Sequence, residues 1–582
     1  MPSSSLPVKP HRLALFMILF LPAILLLTCS DDEPAEAPEE TVEATAGSAA
    51  GEGGPSVEQA IDLLYRQQDP AAALPVLDAL VAAQPEDARF HRMRANAQMQ
   101  LGDLEAARDD FVRAAELEPD HQGAVYGLAT VHARMGDADQ AFARLEALAD
   151  SGTFDLSGIP LDPNLAPLAD DPRFAALLPG PEAFADPFVE ETRVIHEWVG
   201  EATGDQFGWI ARRVEDVDGD GVAEAVTSAP TFGDDDRGRV YLYSGASGRL
   251  LWTFDGEAGD QLGTGVEAAG DVNADGVPDV AAGGPGGDRV VALSGRDGSL
   301  ILEIAAAQEG EQLGRHVRGV GDADGDGHSD LLVGAPRNDE AGDDAGRAAL
   351  HSGADGHLLR QWLGEEAGDR MGETVAGGTA GDDVWLILGA PDAGDGDRGR
   401  VYVYRGLEGE ARFVVDSDEQ GSELGGMFLS LVGDVDADGT PDVYASDWSH
   451  GGKGPQTGQA VVHSGADGSR LHAWGGEAPG DGFGIGVSDA GDVDGDGHAD
   501  LAIGAWQHGA AAPGGGKVYL YSGADGSLLR TWTSQVMGET FGFDTTNLGD
   551  VNGDGTIDLL LTSAWSAKNG ARSGRVFVVS GR

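Results

Sequence analysis

Residues 491–500 read GDVDGDGHAD, setting Asp492, Asp494 and Asp496 at alternate positions ahead of Gly497, His498 and Asp500. The same spacing recurs five more times. Asp216, Asp218, Asp220, Val222 and Glu224 form one copy, and Asp271, Asn273, Asp275, Val277 and Asp279 another. A third is Asp322, Asp324, Asp326, His328 and Asp330, and a fourth Asp434, Asp436, Asp438, Thr440 and Asp442. Asp550, Asn552, Asp554, Thr556 and Asp558 complete the series. The first aspartates lie 50–60 residues apart, except for a double gap between 322 and 434. A period of this length indicates a repeat architecture, in which each unit needs its neighbours to bury its apolar face.

The double gap holds a seventh unit. Met371-Gly372 and Gly389-Ala390-Pro391 keep the flanks of the repeat, while the loop between them, GTAGDDVW, has lost the ligand spacing. Each unit opens on an apolar residue and glycine: Phe207-Gly208, Leu262-Gly263, Leu313-Gly314, Leu424-Gly425, Phe483-Gly484 and Phe541-Gly542. After the acidic loop comes a β run such as LLVGAP (331–336) or LAIGAW (501–506). Then follow a strand like GRVYLYSG (238–245), GRVYVYRG (399–406) or KVYLYSG (517–523) and a last strand like LLRTW (528–532). The 90 glycines of the 582 residues fit many short strands joined by tight turns. Seven units of four strands predict a seven-bladed β-propeller. The last unit stops at GRVFVVSG (574–581), a third strand. RVIHEWVGEATGD (193–205) carries Trp198 where fourth strands carry Trp362, Trp474 and Trp532. The N-terminal segment is therefore expected to complete the seventh blade and leave no open sheet edge.

Calcium takes six to eight oxygen ligands. In each loop, positions 1, 3 and 5 can aim side chains at one point, glycine at position 6 allows the sharp turn, position 7 offers a carbonyl, and a carboxylate at position 9 closes the set. An EF-hand needs a glutamate at position 12 and flanking helices. Here position 12 is Thr227, Val333, Ile503 or Leu561, inside a β run, which excludes that reading. Clustered carboxylates repel one another unless a cation compensates, so six in-phase copies predict about six structural Ca²⁺. Six ions would change the formal charge from −62 to −50. Magnesium, which keeps more of its water, fits less well. His328 and His498 sit at position 7, where the carbonyl is the ligand, so their rings are expected to be solvated.

These units resemble FG-GAP repeats, as in the propeller of integrin α subunits and in many bacterial exported proteins. The resemblance covers about residues 190–582, with GAP kept at 334–336 and 389–391 and drifting to GAW or SAW later. It implies calcium loops on the face opposite the usual partner-binding face, and hence a stabilising role for the metal. No interval is long enough for an inserted adhesion domain, and there is no Arg-Gly-Asp tripeptide, so integrin-type adhesion does not carry over.

Between residues 56 and 180 the apolar period becomes helical. Pro85 and Pro119 lie 34 residues apart. Ala95, Gly102, Ala107, Phe111 and Ala114 precede Pro119 at offsets repeated by Ala129, Gly136, Ala141, Leu145 and Leu148. Ala73, Leu77 and Leu80 form a weaker copy before Pro85. Small residues where helices cross, with large ones beside them, resemble the tetratricopeptide repeat. Such arrays imply a concave groove for a peptide or partner protein; a spacer is the alternative. The stretch LDPNLAPLADDPRFAALLPG (161–180) reads as a cap.

The first 29 residues read as an export signal: Lys9, His11 and Arg12 precede an apolar run from Leu13 to Thr28. Leu26-Leu27-Thr28-Cys29 resembles a bacterial lipobox, with Thr28 where a smaller residue is usual, which implies lipidation at Cys29, the only cysteine of the chain; an uncleaved anchor with an incidental cysteine is the alternative. Residues 30–55, acidic and rich in Pro, Ala and Gly, read as a disordered tether. The expected fold class is thus multidomain, an α-helical solenoid followed by an all-β seven-bladed propeller. A net charge of −62 argues against nucleic acid as a partner.

The expected function is that of an exported, lipid-anchored protein of the bacterial cell envelope, outer-membrane, periplasmic or surface-facing. It would act as a scaffold for a protein or glycan ligand. The alternative is an envelope hydrolase or lyase acting on polysaccharide or lipid. No HExxH or GxSxG motif is present, but abundant carboxylates leave a glycosidase pair open. The strand tryptophans are expected to pack between blades rather than form a sugar platform.

Overall fold

The computed structural model describes residues 56–581, apart from Asp382 and Glu408. The export signal, Cys29 and the acidic tether lie outside the described residues. The chain divides into two compact units. One runs through Phe154 and takes in Asp162–Leu177, and the other combines Asp155–Leu161 with Leu178–Arg582.

The first unit contains five helices of 14 residues: Pro70–Ala83, Ala88–Leu101, Leu104–Leu117, Gln122–Met135 and Ala138–Ser151. Their starts are capped by Asp69, Asp87, Asp103 and Asp137, whose carboxylates accept backbone N–H bonds from the first turn. Gly102 and Gly136 end two of them in the left-handed region, at φ 85° and 81°. The small residues lie where the repeat puts them. Ala95, Ala107, Ala114, Ala129 and Ala141 are fully buried, and Phe111, Leu145 and Leu148 fill the adjoining grooves. Phe111 also explains Gly127, because a Cβ there would lie 2.4 Å from the Phe111 ring. Residues 162–177 hold the short turn Ala166–Leu168 and the helix Pro172–Ala176.

The second unit holds seven four-stranded antiparallel sheets. The first has the strands Ala211–Val214, Glu224–Ala229, Arg239–Tyr243 and Leu250–Asp255 in order from inside to outside. The seventh has Thr545–Gly549, Asp558–Ser563 and Arg575–Ser580, and its outer strand is Val194–Val199, with Trp198 opposite Val576. The ring is closed by the N-terminal strand, as its tryptophan predicts.

A second closure has no sequence signal. Val189 N donates to Thr533 O at 2.9 Å and Gln535 N to Pro187 O at 2.8 Å, so residues 187–189 run along the outer strand of the sixth blade. The Glu190 carboxylate accepts from Thr531 and Thr533. Phe188 packs edge-on between Phe541 and Phe577, at 5.0 and 5.2 Å. The same chain segment therefore staples the sixth blade before it completes the seventh.

Blade joins reuse two devices. The glycine opening each unit lies in the left-handed region, as at Gly208 (φ 84°), Gly372 (84°) and Gly542 (84°). There a Cβ would meet the second and third strands of the preceding blade: at Gly542 it would come within 2.8 Å of Val518 and 2.9 Å of Lys517 O. The second device is an outer-strand indole that reaches the next blade. Trp198 Nε1 donates to Gly248 O at 2.8 Å, Trp252 to Gly295 O at 2.8 Å, and Trp474 to Gly526 O at 3.0 Å. Trp198, Trp252, Trp362 and Trp532 are buried. Burying roughly 200 Å² of indole stabilises by up to about 5 kcal/mol. These rings are packing, not a sugar platform. Trp252 belongs with them and was missing from the set read in the sequence.

Candidate metal centres

All six acidic loops connect an inner strand to the second strand of its blade, and the sequence pattern prescribes how each one turns. Position 6 is left-handed throughout: Gly221, Gly276, Gly327, Gly439, Gly497 and Gly555 have φ between 81° and 93°. Position 4 is also left-handed, at a cost where it is alanine, in Ala274 (φ 57°) and Ala437 (φ 58°). The first aspartate holds the turn. Its Oδ2 accepts the position-6 N–H at 2.7–2.9 Å in all six loops. The position-5 carboxylate accepts the N–H of position 7, from Val222, Val277, His328, Thr440, His498 and Thr556.

The position-9 carboxylate is fully buried in every loop, as Glu224, Asp279, Asp330, Asp442, Asp500 and Asp558. It opens the second strand, or in Asp330 immediately precedes it, and accepts the N–H of position 2, at 2.7–3.0 Å, in each case. In four blades its other oxygen accepts the glycine N–H after the third strand, from Gly295, Gly353, Gly465 and Gly523. The loop is thus tied to both neighbouring strands.

Four loops bring three or more carboxylates within 4.8 Å of one another. These groups are Asp216, Asp218, Asp220 and Glu224; Asp322, Asp324 and Asp330; Asp434, Asp436 and Asp442; and Asp492, Asp494 and Asp500. Position 5 joins such a group only through Asp220. The loops at Asp271 and Asp550 carry an amide, Asn273 or Asn552, at position 3. Burial, reinforced by Asp218, Asp216 and Asp220, pushes Glu224 up to about 7. Burial likewise pushes Asp279 and Asp442 up to about 6 and raises Asp330, Asp500 and Asp558. In the two amide-bearing loops an arginine pairs with position 5, Arg296 with Asp275 at 3.5 Å and Arg193 with Asp554 at 3.2 Å.

Two acceptor oxygens test whether a cation fits. Glu224 Oε1 and Asn552 Oδ1 are buried with no hydrogen-bond partner among the described residues. A buried acceptor left without a donor costs about 1–3 kcal/mol, and a cation ligated by oxygen removes that cost. The donor sets are oxygen only, which suits a hard cation such as calcium.

The histidine rings differ from the sequence expectation: they are engaged rather than solvated. His328 Nδ1 lies 2.7 Å from Val272 O, and His498 Nδ1 lies 2.7 Å from Val435 O. Val272 and Val435 sit at position 2 of the preceding blades' loops. Ser329 N and Ala499 N make parallel bonds to Asp271 O and Asp434 O, at 2.9 and 3.0 Å. The carbonyl bond and nearby carboxylates raise the His498 pKa.

Comparison with known proteins agrees with this geometry. The FG-GAP repeat model matches residues 207–243 and 319–351, and the FG-GAP-like repeat model matches residues 492–561. The propeller carries FG-GAP repeats. Tetratricopeptide repeat models match residues 59–121 and 98–156. Integrin alpha-PS5 of Drosophila melanogaster is 32% identical over 169 residues, 25% of this chain and 16% of that protein. Integrin alpha pat-2 of Caenorhabditis briggsae is 30% identical over 229 residues, 34% of this chain and 18% of its own. Integrin alpha-6 of Gallus gallus is 31% identical over 156 residues, 24% and 14% respectively. The match spans less than a fifth of each relative's length.

Within the FG-GAP unit, one substitution escaped the sequence reading. The fourth and sixth blades pair their second and third strands at corresponding positions, Gly389 with Val401 and Gly504 with Val518. By that register Trp385 occupies the place of Asp500. It is 1% exposed, and the guanidinium groups of Arg405 and Arg412 each lie 5.7 Å from its ring. The signal was the W of GTAGDDVW, whose value only the strand register reveals.

Proposed function

We propose that this chain is an exported, membrane-tethered binding or scaffold protein whose propeller is stabilised by about six calcium ions. The observation that carries the metal half is the unpartnered, buried Glu224 Oε1 beside Asp216, Asp218 and Asp220. The ligands would be positions 1, 3, 5 and 9 through side chains and position 7 through its carbonyl. The ion would supply the positive charge that four converging carboxylates lack, with a structural rather than a catalytic role.

The binding half rests on the pairing of a helical repeat array, whose concave surface suits a partner, with a closed propeller that carries FG-GAP repeats. The ligand would be a protein or a glycan. Among the described residues, no helix is long and apolar enough to cross a membrane; the tether proposed is the lipid on Cys29. The test is binding of the full mature chain to arrays of envelope proteins and glycans, with product analysis of the same glycans. Saturable binding without turnover supports the reading, and turnover of a polysaccharide or lipid replaces it with the hydrolase or lyase alternative.

A further inference from the structure

The inner strands of all seven blades line a cavity of about 530 Å³ on the axis of the propeller, within the range of small-molecule sites. At one end lie Ile210, His316 and Phe428. The Phe428 ring, from the fifth blade, is 5.8 Å from the Arg212 guanidinium of the first and 6.2 Å from the His316 ring of the third. At the other end are Gly270, Gly321 and Ser329, next to the acidic loops.

Charged groups ring the wall in a fixed order. Asp544 pairs with Arg212. Arg212 Nε donates to Glu267 Oε2 at 3.0 Å, and Arg318 Nη1 donates to the same oxygen at 2.5 Å. Arg318 Nε then donates to Gly377 O at 2.9 Å. These links run from the seventh blade to the fourth and lock both guanidiniums. Nη2 of each arginine takes part in none of them.

Two further lining residues have unused hydrogen-bonding capacity. Ser488 is 9% exposed, and its Oγ is buried with no partner among the described residues; Arg213 is more exposed, with Nη2 on Glu215, yet its Nε is buried with no partner among the described residues. Arg213 Nε can only donate. The arginines of the lining are Arg212, Arg213 and Arg318; Glu267 and Asp544 take up part of the first and third, and Glu215 accepts from Arg213 Nη2 at 3.0 Å. A chain of net charge −62 thus keeps a pocket with unused hydrogen-bond donors on its axis. Leu429, Leu431 and Val487 give the same cavity an apolar side.

We propose that this axial cavity binds a small carboxylate-bearing, hydroxylated molecule. Its carboxylate would take the arginine donors and Ser488 Oγ, and its carbon skeleton would lie against Leu431 and Val487. Guanidinium–carboxylate pairing supplies both orientation and affinity. Protein–protein hydrogen bonds hold the wall in place, so the site stands apart from the calcium reading. Two sources share this chemistry, a sugar acid and a free hydroxy acid.

The test is calorimetric titration of the full mature chain at constant calcium with galacturonate and glucuronate, with malate and citrate, and with glucose as the uncharged control. One acid class is expected to bind one molecule per chain, and glucose at least about tenfold more weakly. Ser430→Phe adds bulk from a half-buried position on the cavity wall and is expected to reduce affinity by about tenfold or more. Ser488→Ala, which removes only the unpartnered hydroxyl, should lose about threefold to tenfold. Thermal unfolding without ligand shows whether each variant is folded; if Ser430→Phe is not, Ser488→Ala decides. Absence of acid binding, equal binding of glucose, or undiminished affinity in the deciding folded variant overturns the proposal.

Discussion

The fourth and sixth blades make the same four-stranded sheet from different chemistry at one corner. In the sixth, GDVDGDGHAD joins the inner and second strands, and the buried Asp500 accepts the N–H of Val493 and of Gly523. In the fourth, the inner strand turns so tightly that Ala380 pairs directly with Asp383. There the buried indole of Trp385 stands in for the carboxylate, and Gly406 N donates to the backbone oxygen of Val384 at 2.7 Å instead. The blade topology thus does not need the acidic loop. Either solution fills the corner, an apolar ring outright or, on the calcium proposal, a carboxylate with a compensating cation. Replacement of buried charge by a well-packed apolar group is often neutral or stabilising, which explains how one unit of seven can lose its loop and keep its place in the ring.

The largest effect that separates the two corners is expected from Trp385→Ala, which leaves a cavity and costs about 3–5 kcal/mol. That loss should be the same in calcium and in EDTA by chemical denaturation; a loss confined to calcium would break the comparison. Next in size is the pH response of the intact loops. Glu224, pushed up to about 7, lies above its ordinary value, as do Asp279 and Asp442 at about 6. The stability contributed by their protonated forms is present below about pH 4.5 and is lost as pH rises through 6 to 7. In EDTA the unfolding midpoint should therefore fall over that window, and saturating calcium should abolish the fall. Thermal scans across pH check this.

Asp494→Asn removes one charge from a loop group without changing its shape. In calcium it is expected to cost about 1–3 kcal/mol, and in EDTA to be neutral or slightly stabilising because it relieves repulsion. A uniform loss in both conditions would reduce Asp494 to a hydrogen-bonding residue. The smallest effect belongs to His498→Ala, which removes the contact with Val435 O. It should cost about 0.5–1.5 kcal/mol, read by chemical denaturation.

What the sequence made legible was whatever repeats. The phase of the aspartates, the apolar–glycine openings and the displaced Trp198 strand predict seven blades and their closure. The small residues at Ala95, Ala107 and Ala129 likewise predict the helix crossings. Features that occur once, or arise between distant segments, were not legible. Phe188 gives no sign that it packs between Phe541 and Phe577, more than 350 residues away. Asp544, Arg212, Glu267 and Arg318 form one axial network from four blades, although each looks like an isolated charge in its own strand. The His328 and His498 rings were misread because the loop was considered alone, whereas their partners are in the neighbouring blade. The position-5 aspartates show the limit of spacing as a guide: position 5 is aspartate in all six loops, yet only Asp220 joins a carboxylate group.

The most direct test of the account is the number of calcium ions bound per chain, measured by equilibrium dialysis and elemental analysis, with thermal unfolding of the same samples. About six ions per chain, with an unfolding midpoint that falls when EDTA removes them, is the predicted result. One ion or none, with a midpoint indifferent to EDTA, would contradict it.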